Sequence, residues 1–158
     1  MTFLEHLASA KQSLFRFEYL QDFSIPEEKE ALELFEKTGK FHTDDMQEWW
    51  DFLHTLHTRG VVTERVRLVR EPQSLYMRHE LLVHKESVAQ GDRITVLTEQ
   101  SLTPAIAALG DFWLIDGRKV LKMNYTATGE YLGFEEVSDL APYLAAKEYL
   151  LSNSVPIG

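Results

Sequence analysis

Cysteine is absent from the 158 residues of this chain. Its absence excludes disulfides, thiolate metal sites and a cysteine nucleophile. Long apolar runs are also lacking, because no stretch approaches the roughly 20 residues that a membrane-spanning helix needs. No internal repeat, low-complexity tract or flexible linker interrupts the chain. The sequence therefore predicts a single globular domain over residues 1–158, with no membrane association.

Basic residues are few. The chain has 16 Lys and Arg residues and 25 Asp and Glu residues, which give a net charge of −9. General binding to phosphate backbones requires a positive surface, so we do not expect direct contact with nucleic acid. Residues 1–10 lack the basic and apolar regions of a signal peptide. These features together predict a cytoplasmic protein.

Hydrophobic periodicity predicts an α/β or α+β domain, with a mixed, partly antiparallel sheet flanked by helices. A first helix is expected within residues 1–13 and a last helix over residues 139–152, capped by Asp139. Ser24 and Glu27 have the spacing of a capping box at another helix start. Asp116-Gly117 predicts the turn of a β-hairpin.

Recognisable catalytic motifs are also missing. The chain contains no Gly-x-Ser-x-Gly elbow, phosphate-binding loop or dinucleotide fingerprint. His54 and His57, with Asp51 one turn earlier, share a helix face but form at most part of a metal site. His79 and His84 are five positions apart, about 140° around a helix, and cannot face one ion. We therefore predict no catalytic residue, no metal and no cofactor.

Charged residues at strand-like spacing are the strongest candidates for a binding site. They could converge on one sheet face, where arginine would clamp a carboxylate or phosphate, or they could form a structural salt-bridge network. The candidates are Arg16, Glu18, Arg65, Arg67, Glu71, Tyr76, Arg78, Glu80 and Asp116.

Aromatic residues could stack on bases, although helical and strand spacing favours a place in the core. They are Trp49, Trp50, Phe52, Trp113 and Tyr125.

A set of short segments carries a family resemblance over residues 14–156. They lie at 15–18, 24–27, 30–32, 59–60, 65–69, 71–81, 111–116, 129–133 and 155–156. Together they resemble an uncharacterised bacterial family, a domain of unknown function often encoded beside helix-turn-helix regulators. The resemblance implies an accessory role without indicating a reaction.

A weaker similarity is to half of a phospholipase D-like domain. The His-x-Lys-x-x-x-x-Asp motif of those enzymes, aligned on Asp116, would place its histidine at Leu109 and its lysine at Asp111. The similarity therefore implies a domain without that chemistry, and it rests on architecture alone.

Two functional hypotheses follow. The first is an accessory or regulatory protein that binds a partner protein, such as a helix-turn-helix regulator, through the charged residues. The second is a sensor or enzyme for a small anion, in which the arginines bind the anion and a carboxylate acts as acid or base.

Overall fold

The structure, a computed structural model, describes residues 1–157. Its α-helices are α1 (Phe3–Ala8), α2 (Lys29–Thr38), α3 (Gln47–Thr58), α4 (Leu75–Ala89), α5 (Pro104–Leu109) and α6 (Ala141–Asn153). Its strands are β1 (Ser13–Glu18), β2 (Val62–Val69), β3 (Arg93–Thr98), β4 (Phe112–Ile115), β5 (Lys119–Tyr125), β6 (Tyr131–Val137) and β7 (Val155–Pro156). Within residues 1–157, none of these helices has both the length and the apolar character needed to cross a bilayer.

One mixed sheet organises the domain, with the strand order β6-β5-β4-β1-β2-β3-β7. Strands β1, β2 and β3 are parallel, and helical crossovers connect them. An antiparallel meander of β4, β5 and β6 extends the sheet from β1. The predicted single α/β domain with a mixed sheet is confirmed.

The alternation of residues along β1 separates the two faces of the sheet. Phe15 and Phe17 face a core that α5 and α6 complete through Ile106 and Leu150. Leu14 belongs to the opposite core, which α1 and α3 cover. Arg16 and Glu18 share the side of Leu14, because successive strand residues point to opposite faces.

The hairpin between β4 and β5 forms where the sequence predicts it. Asp116 and Gly117 have φ angles of 56° and 64°, and the Arg118 amide donates to the Ile115 carbonyl at 3.0 Å. Two central residues with positive φ are the signature of a type I′ turn. Asp tolerates this left-handed conformation better than most residues, and glycine adopts it freely.

Two predicted caps are wrong. Pro26–Glu28 forms a 3₁₀ turn before α2, and the Ser24 amide donates to the carbonyl of Gly129 in the β5–β6 connection at 3.0 Å. Ser24 is therefore committed to a tertiary contact. At the last helix, Leu140 occupies the N-cap position predicted for Asp139, because α6 begins two residues after Asp139.

The long connection between β1 and α3, residues 19–46, is fixed against the meander at Gly129. A Cβ atom at position 129 would lie 2.3 Å from the carbonyl oxygen of Asp22 and 2.8 Å from Cα of Phe23. Only glycine permits this approach of two backbones.

Replacing Gly129 with alanine should therefore destabilise the domain more than the same change at Gly60. Both glycines have nearly equal φ angles, 86° and 84°, but an added Cβ at position 60 meets no atom within 4 Å. Gly60→Ala should cost only the left-handed backbone penalty, about 1–2 kcal/mol, whereas Gly129→Ala must also displace Asp22. Urea unfolding of both variants measures the difference in the free energy of unfolding. Equal losses of stability would contradict the prediction, because they would show that the backbone at Asp22 can move away from residue 129 without cost.

Candidate functional site

Four charged side chains lie side by side on the sheet face that α3 and α4 cover. In the parallel pairing of β1 with β2, Arg16 is opposite Arg65 and Glu18 is opposite Arg67. Arg67 is fully buried, and Arg16 and Glu18 are each only 5% exposed. Burial of so much charge requires pairing, because an isolated ion in a protein interior is strongly disfavoured.

Glu18 is the centre of this arrangement. One carboxylate oxygen accepts from Arg65 Nη1 at 2.7 Å, and the other accepts from Arg67 Nη1. Burial alone would raise the pKa of Glu18, but Arg67, Arg65 and Arg16 outweigh it and hold this pKa far below its usual range. Glu18 therefore stays ionised.

Helix α4 contributes three further groups from one face, at positions four residues apart. Tyr76, Glu80 and His84 are buried there. Glu80 Oε2 lies 4.0 Å from Arg67 Nη1, and that nitrogen also lies 3.4 Å from His84 Nε2. Burial, and then the charge of Arg67, lower the pKa of His84 to about 3. The imidazole is therefore neutral, and its Nε2 can accept from Arg67.

The residue before β4, Asp111, holds Arg16, the arginine of β1. Arg16 Nη2 lies 3.4 Å from Asp111 Oδ1 and 3.2 Å from the Tyr125 hydroxyl. Asp111 also accepts from the backbone amides of Tyr19 and Leu20. Burial raises the pKa of Asp111, against the opposing effect of Arg16. These contacts fix the end of β1 as well as the guanidinium.

Indole rings enclose the exposed side of two arginines. The Arg16 guanidinium carbon lies 5.3 Å from the Trp113 ring centroid. Arg65 lies between Trp49 and Trp113, 6.0 and 5.9 Å from their centroids. These distances are within the range of cation–π attraction.

Arg67 is enclosed in the same way by Phe23 and Tyr76, at 5.4 and 5.8 Å. Phe23 comes from the β1–α3 connection, so this connection closes over the buried charges. We define the charged cluster as Arg16, Glu18, Arg65, Arg67, Glu80, His84 and Asp111.

The hydrogen-bonding capacity of the cluster is not fully used. Within residues 1–157, four buried guanidinium nitrogens are without a hydrogen-bond partner. They are Arg16 Nη1, Arg65 Nε, Arg67 Nε and Arg67 Nη2. Attraction to the rings compensates part of this deficit, but an N–H group prefers an oxygen acceptor.

A cavity of about 290 Å³ lies against the cluster. Its charged and polar wall includes Arg16, Glu18, Arg65, Glu80 and His84. Its apolar wall consists mainly of Phe3, Phe23, Trp49, Trp113 and Met123. A mainly apolar cavity with a few convergent polar groups is the usual form of a small-molecule site.

Glu28, from the 3₁₀ turn of the β1–α3 connection, also faces this cavity. Burial, and then the neighbouring carboxylate of Glu80, raise the pKa of Glu28 to about 9. Glu28 therefore carries a proton at neutral pH, unlike Glu18.

The family model described as Domain of unknown function (DUF6879) matches residues 1–158. The chain belongs to this family. The resemblance to a domain of unknown function is thereby confirmed, and a search of curated proteins finds no match.

Six of the nine residues predicted from the sequence come together at the cavity and cluster. They are Arg16, Glu18, Arg65, Arg67, Tyr76 and Glu80. Glu71 and Arg78 are instead exposed. Arg78 is on α4 but two positions from Glu80, and residues at that spacing do not share a helix face.

Asp116 also lies apart from the cluster and has a structural role. Its carboxylate accepts from the backbone amides of Lys11, Gln12 and Ser13, the last two at 2.7 and 3.0 Å. Partial burial raises the pKa of Asp116, but the Ser13, Gln12 and Lys11 amides more than offset this and lower it. Asp116 therefore anchors the start of β1 to the β4–β5 turn.

Sequence reasoning missed several residues of the site. His84 was considered only as a metal ligand with His79, although its spacing from Tyr76 and Glu80 predicts a shared face. Trp49 and Trp113 pack in the core, as their spacing predicts, but both also line the cavity, which their spacing does not indicate. His54 and His57 bond separately to the Gln90 carbonyl and the Thr63 hydroxyl.

Changing His84 to glutamine should flatten the acid dependence of stability. An unfolded imidazole binds a proton near pH 6.5, whereas folded His84 resists protonation down to about pH 3. The unfolded state thus binds more protons between these values, and the free energy of unfolding falls as the pH falls. Glutamine still offers Arg67 an acceptor but does not titrate. Between pH 6.5 and 4.5, the free energy of unfolding should therefore fall by about 1–3 kcal/mol less in the variant than in the wild-type protein.

Urea unfolding across this window makes the comparison, and the contribution of Glu18 near pH 4.5 is common to both proteins. His42→Gln removes a histidine outside the cluster and controls for loss of an imidazole as such. An unchanged acid slope in His84→Gln would contradict the role assigned to His84.

Proposed function

We propose that this domain binds a small molecule in the cavity beside the charged cluster and acts as a sensor for it. The observation that carries the proposal is the position of the arginines. Arg16 and Arg65 line an open cavity, and each has one buried N–H nitrogen without a partner within the described chain. Donors in that setting favour a small ligand with acceptor oxygens.

Binding is favoured over catalysis by the pairing of the carboxylates. Glu18 is held by Arg65 and Arg67, and Glu80 lies beside Arg67. Glu18, which is held ionised by the arginines, is a poor proton acceptor because its pKa lies far below neutral pH. The cluster is thus suited to orienting donors toward a ligand.

The test is a screen of small carboxylates, phosphates and neutral amides by ligand-observed NMR, followed by a matched pair of variants. Ile25 lines the cavity and is 38% exposed, whereas Leu34 of α2 lies away from this cavity and is 39% exposed. Ile25→Trp should narrow the cavity and abolish binding of the hits. Leu34→Trp adds the same ring elsewhere and should leave binding intact.

Two results would overturn the proposal. One is a panel in which no compound binds the wild-type protein. The other is a set of hits that bind Ile25→Trp and Leu34→Trp equally, since their site would then lie elsewhere.

The second candidate function is that of an accessory protein. In it, this domain would bind a partner protein, such as a helix-turn-helix regulator, in the bacterial cytoplasm. One observation favours it. Strand β6 is at the edge of the sheet, and Tyr131 and Leu132 on it are 49% and 66% exposed. Tyr131 lies 5.8 Å from Tyr125 of the cavity wall, measured between ring centroids. A partner on this edge would contact the cavity wall.

Leu132→Asp should therefore abolish recovery of a stoichiometric partner from native cells, as measured by native mass spectrometry. Leu4 of α1 is also exposed, at 53%, and Leu4→Asp serves as the control. Equal recovery with both variants, or no partner with the wild-type protein, would contradict this candidate.

A further inference from the structure

Resting on the proposed ligand-binding function, we infer that the ligand is a flat, singly charged organic acid. Its carboxylate would meet the arginines of the cluster, and its planar body would lie among the aromatic rings of the cavity. Three independent features define this class.

The first feature is the surplus of hydrogen-bond donors. The two arginines of the cavity wall each have one buried nitrogen without a partner in the described part of the chain, Arg16 Nη1 and Arg65 Nε, against one carboxyl oxygen of the same wall, Oε2 of Glu28. A ligand that satisfies this surplus must supply acceptors. Because bonds between ionised groups are stronger than neutral ones, a carboxylate suits the arginines better than an amide.

The second feature is the balance of charge. Three arginines face three carboxyl groups, namely those of Glu18, Glu80 and Asp111. The other titratable side chains of the cavity wall are neutral, because the pKa of His84 is lowered and those of Glu28, Tyr76 and Tyr125 are raised. Because the charges of the cluster nearly balance, a ligand with one negative charge is less strongly disfavoured in the cavity than a ligand with two. The cavity therefore favours a monocarboxylate over a phosphate ester or a nucleotide.

The third feature is the shape of the apolar wall. Trp113 is in edge contact with both Trp49 and Phe3, with centroid distances of 6.0 and 6.1 Å. Phe23 and Tyr125 form another edge contact at 4.9 Å. Rings that meet at steep angles present flat faces and edges to the space between them. A planar ligand can pack against these in offset or edge-to-face geometry.

Four probes of similar size separate these features: benzoate, benzamide, cyclohexanecarboxylate and phenylphosphonate. Their affinities are measured by calorimetry on the wild-type protein. Tryptophan fluorescence of Trp50→Phe gives a second readout, because Trp50 is a core residue bonded to Ser87 whereas Trp49 and Trp113 line the cavity. Phenylphosphonate is used at mildly alkaline pH, where it carries two charges.

Benzoate is expected to bind about tenfold or more tightly than each of the other three probes. It should also change the fluorescence of the Trp50→Phe protein. If benzamide binds as tightly as benzoate, the inferred contact between a carboxylate and the arginines is wrong. If cyclohexanecarboxylate binds as tightly as benzoate, the inferred preference for a planar ligand is wrong. Phenylphosphonate binding as tightly as benzoate would overturn the single charge.

Failure of this inference can be told from failure of the proposed function. If none of the four probes binds, but other compounds of the panel bind and are lost in Ile25→Trp, the ligand class is wrong and the cavity remains a binding site. If no compound of the panel binds at all, both the inferred ligand class and the proposed ligand-binding function are wrong.

Discussion

The shared carboxylate of Glu18 is the interaction on which this domain depends. It joins Arg65 and Arg67 of the neighbouring strand from within the sheet. Arg67 could not be fully buried without it, because an unpaired guanidinium in the interior would be strongly destabilising. Loss of one partner of a buried ion pair costs about 3–5 kcal/mol. The cluster therefore constrains which residues β1 and β2 can carry, and it brings α4 against them through Glu80 and His84.

Such a cluster is a poor source of stability compared with an apolar core of the same volume. The two apolar cores on either side of the sheet supply the burial of apolar surface that the cluster lacks. The arginines are also only partly satisfied, since several N–H groups face rings rather than oxygens. We propose that a binding role accounts for this arrangement, with a ligand supplying acceptors that the cluster itself lacks.

Local patterns predicted much of the fold and five of the seven residues of the charged cluster. Alternation identified β1 and β2 and placed Arg16 with Glu18, and Arg65 with Arg67, on one side of each strand, because strand periodicity is a property of the chain itself. The Asp116-Gly117 turn could be predicted for the same reason, because the Asp-Gly sequence specifies the turn locally. The positions of Asp111 and Glu28 could not be predicted, because they depend on which strand pairs with β1 and on how the β1–α3 connection folds back. Asp139 failed as a cap because α6 begins two residues after it.

The placement of β4 beside β1 has a consequence for the order of folding. Arg16 finds Asp111 and Tyr125 only 95 and 109 positions later in the chain. During synthesis, β1 and β2 emerge long before these partners, so Arg16 stays hydrated until the meander is complete. Contacts of such high sequence separation form slowly. The cavity is therefore among the last parts of the molecule to take shape. A nascent chain lacking β4 and β5 would have neither the partners of Arg16 nor the part of the cavity wall that Trp113, Met123 and Tyr125 form.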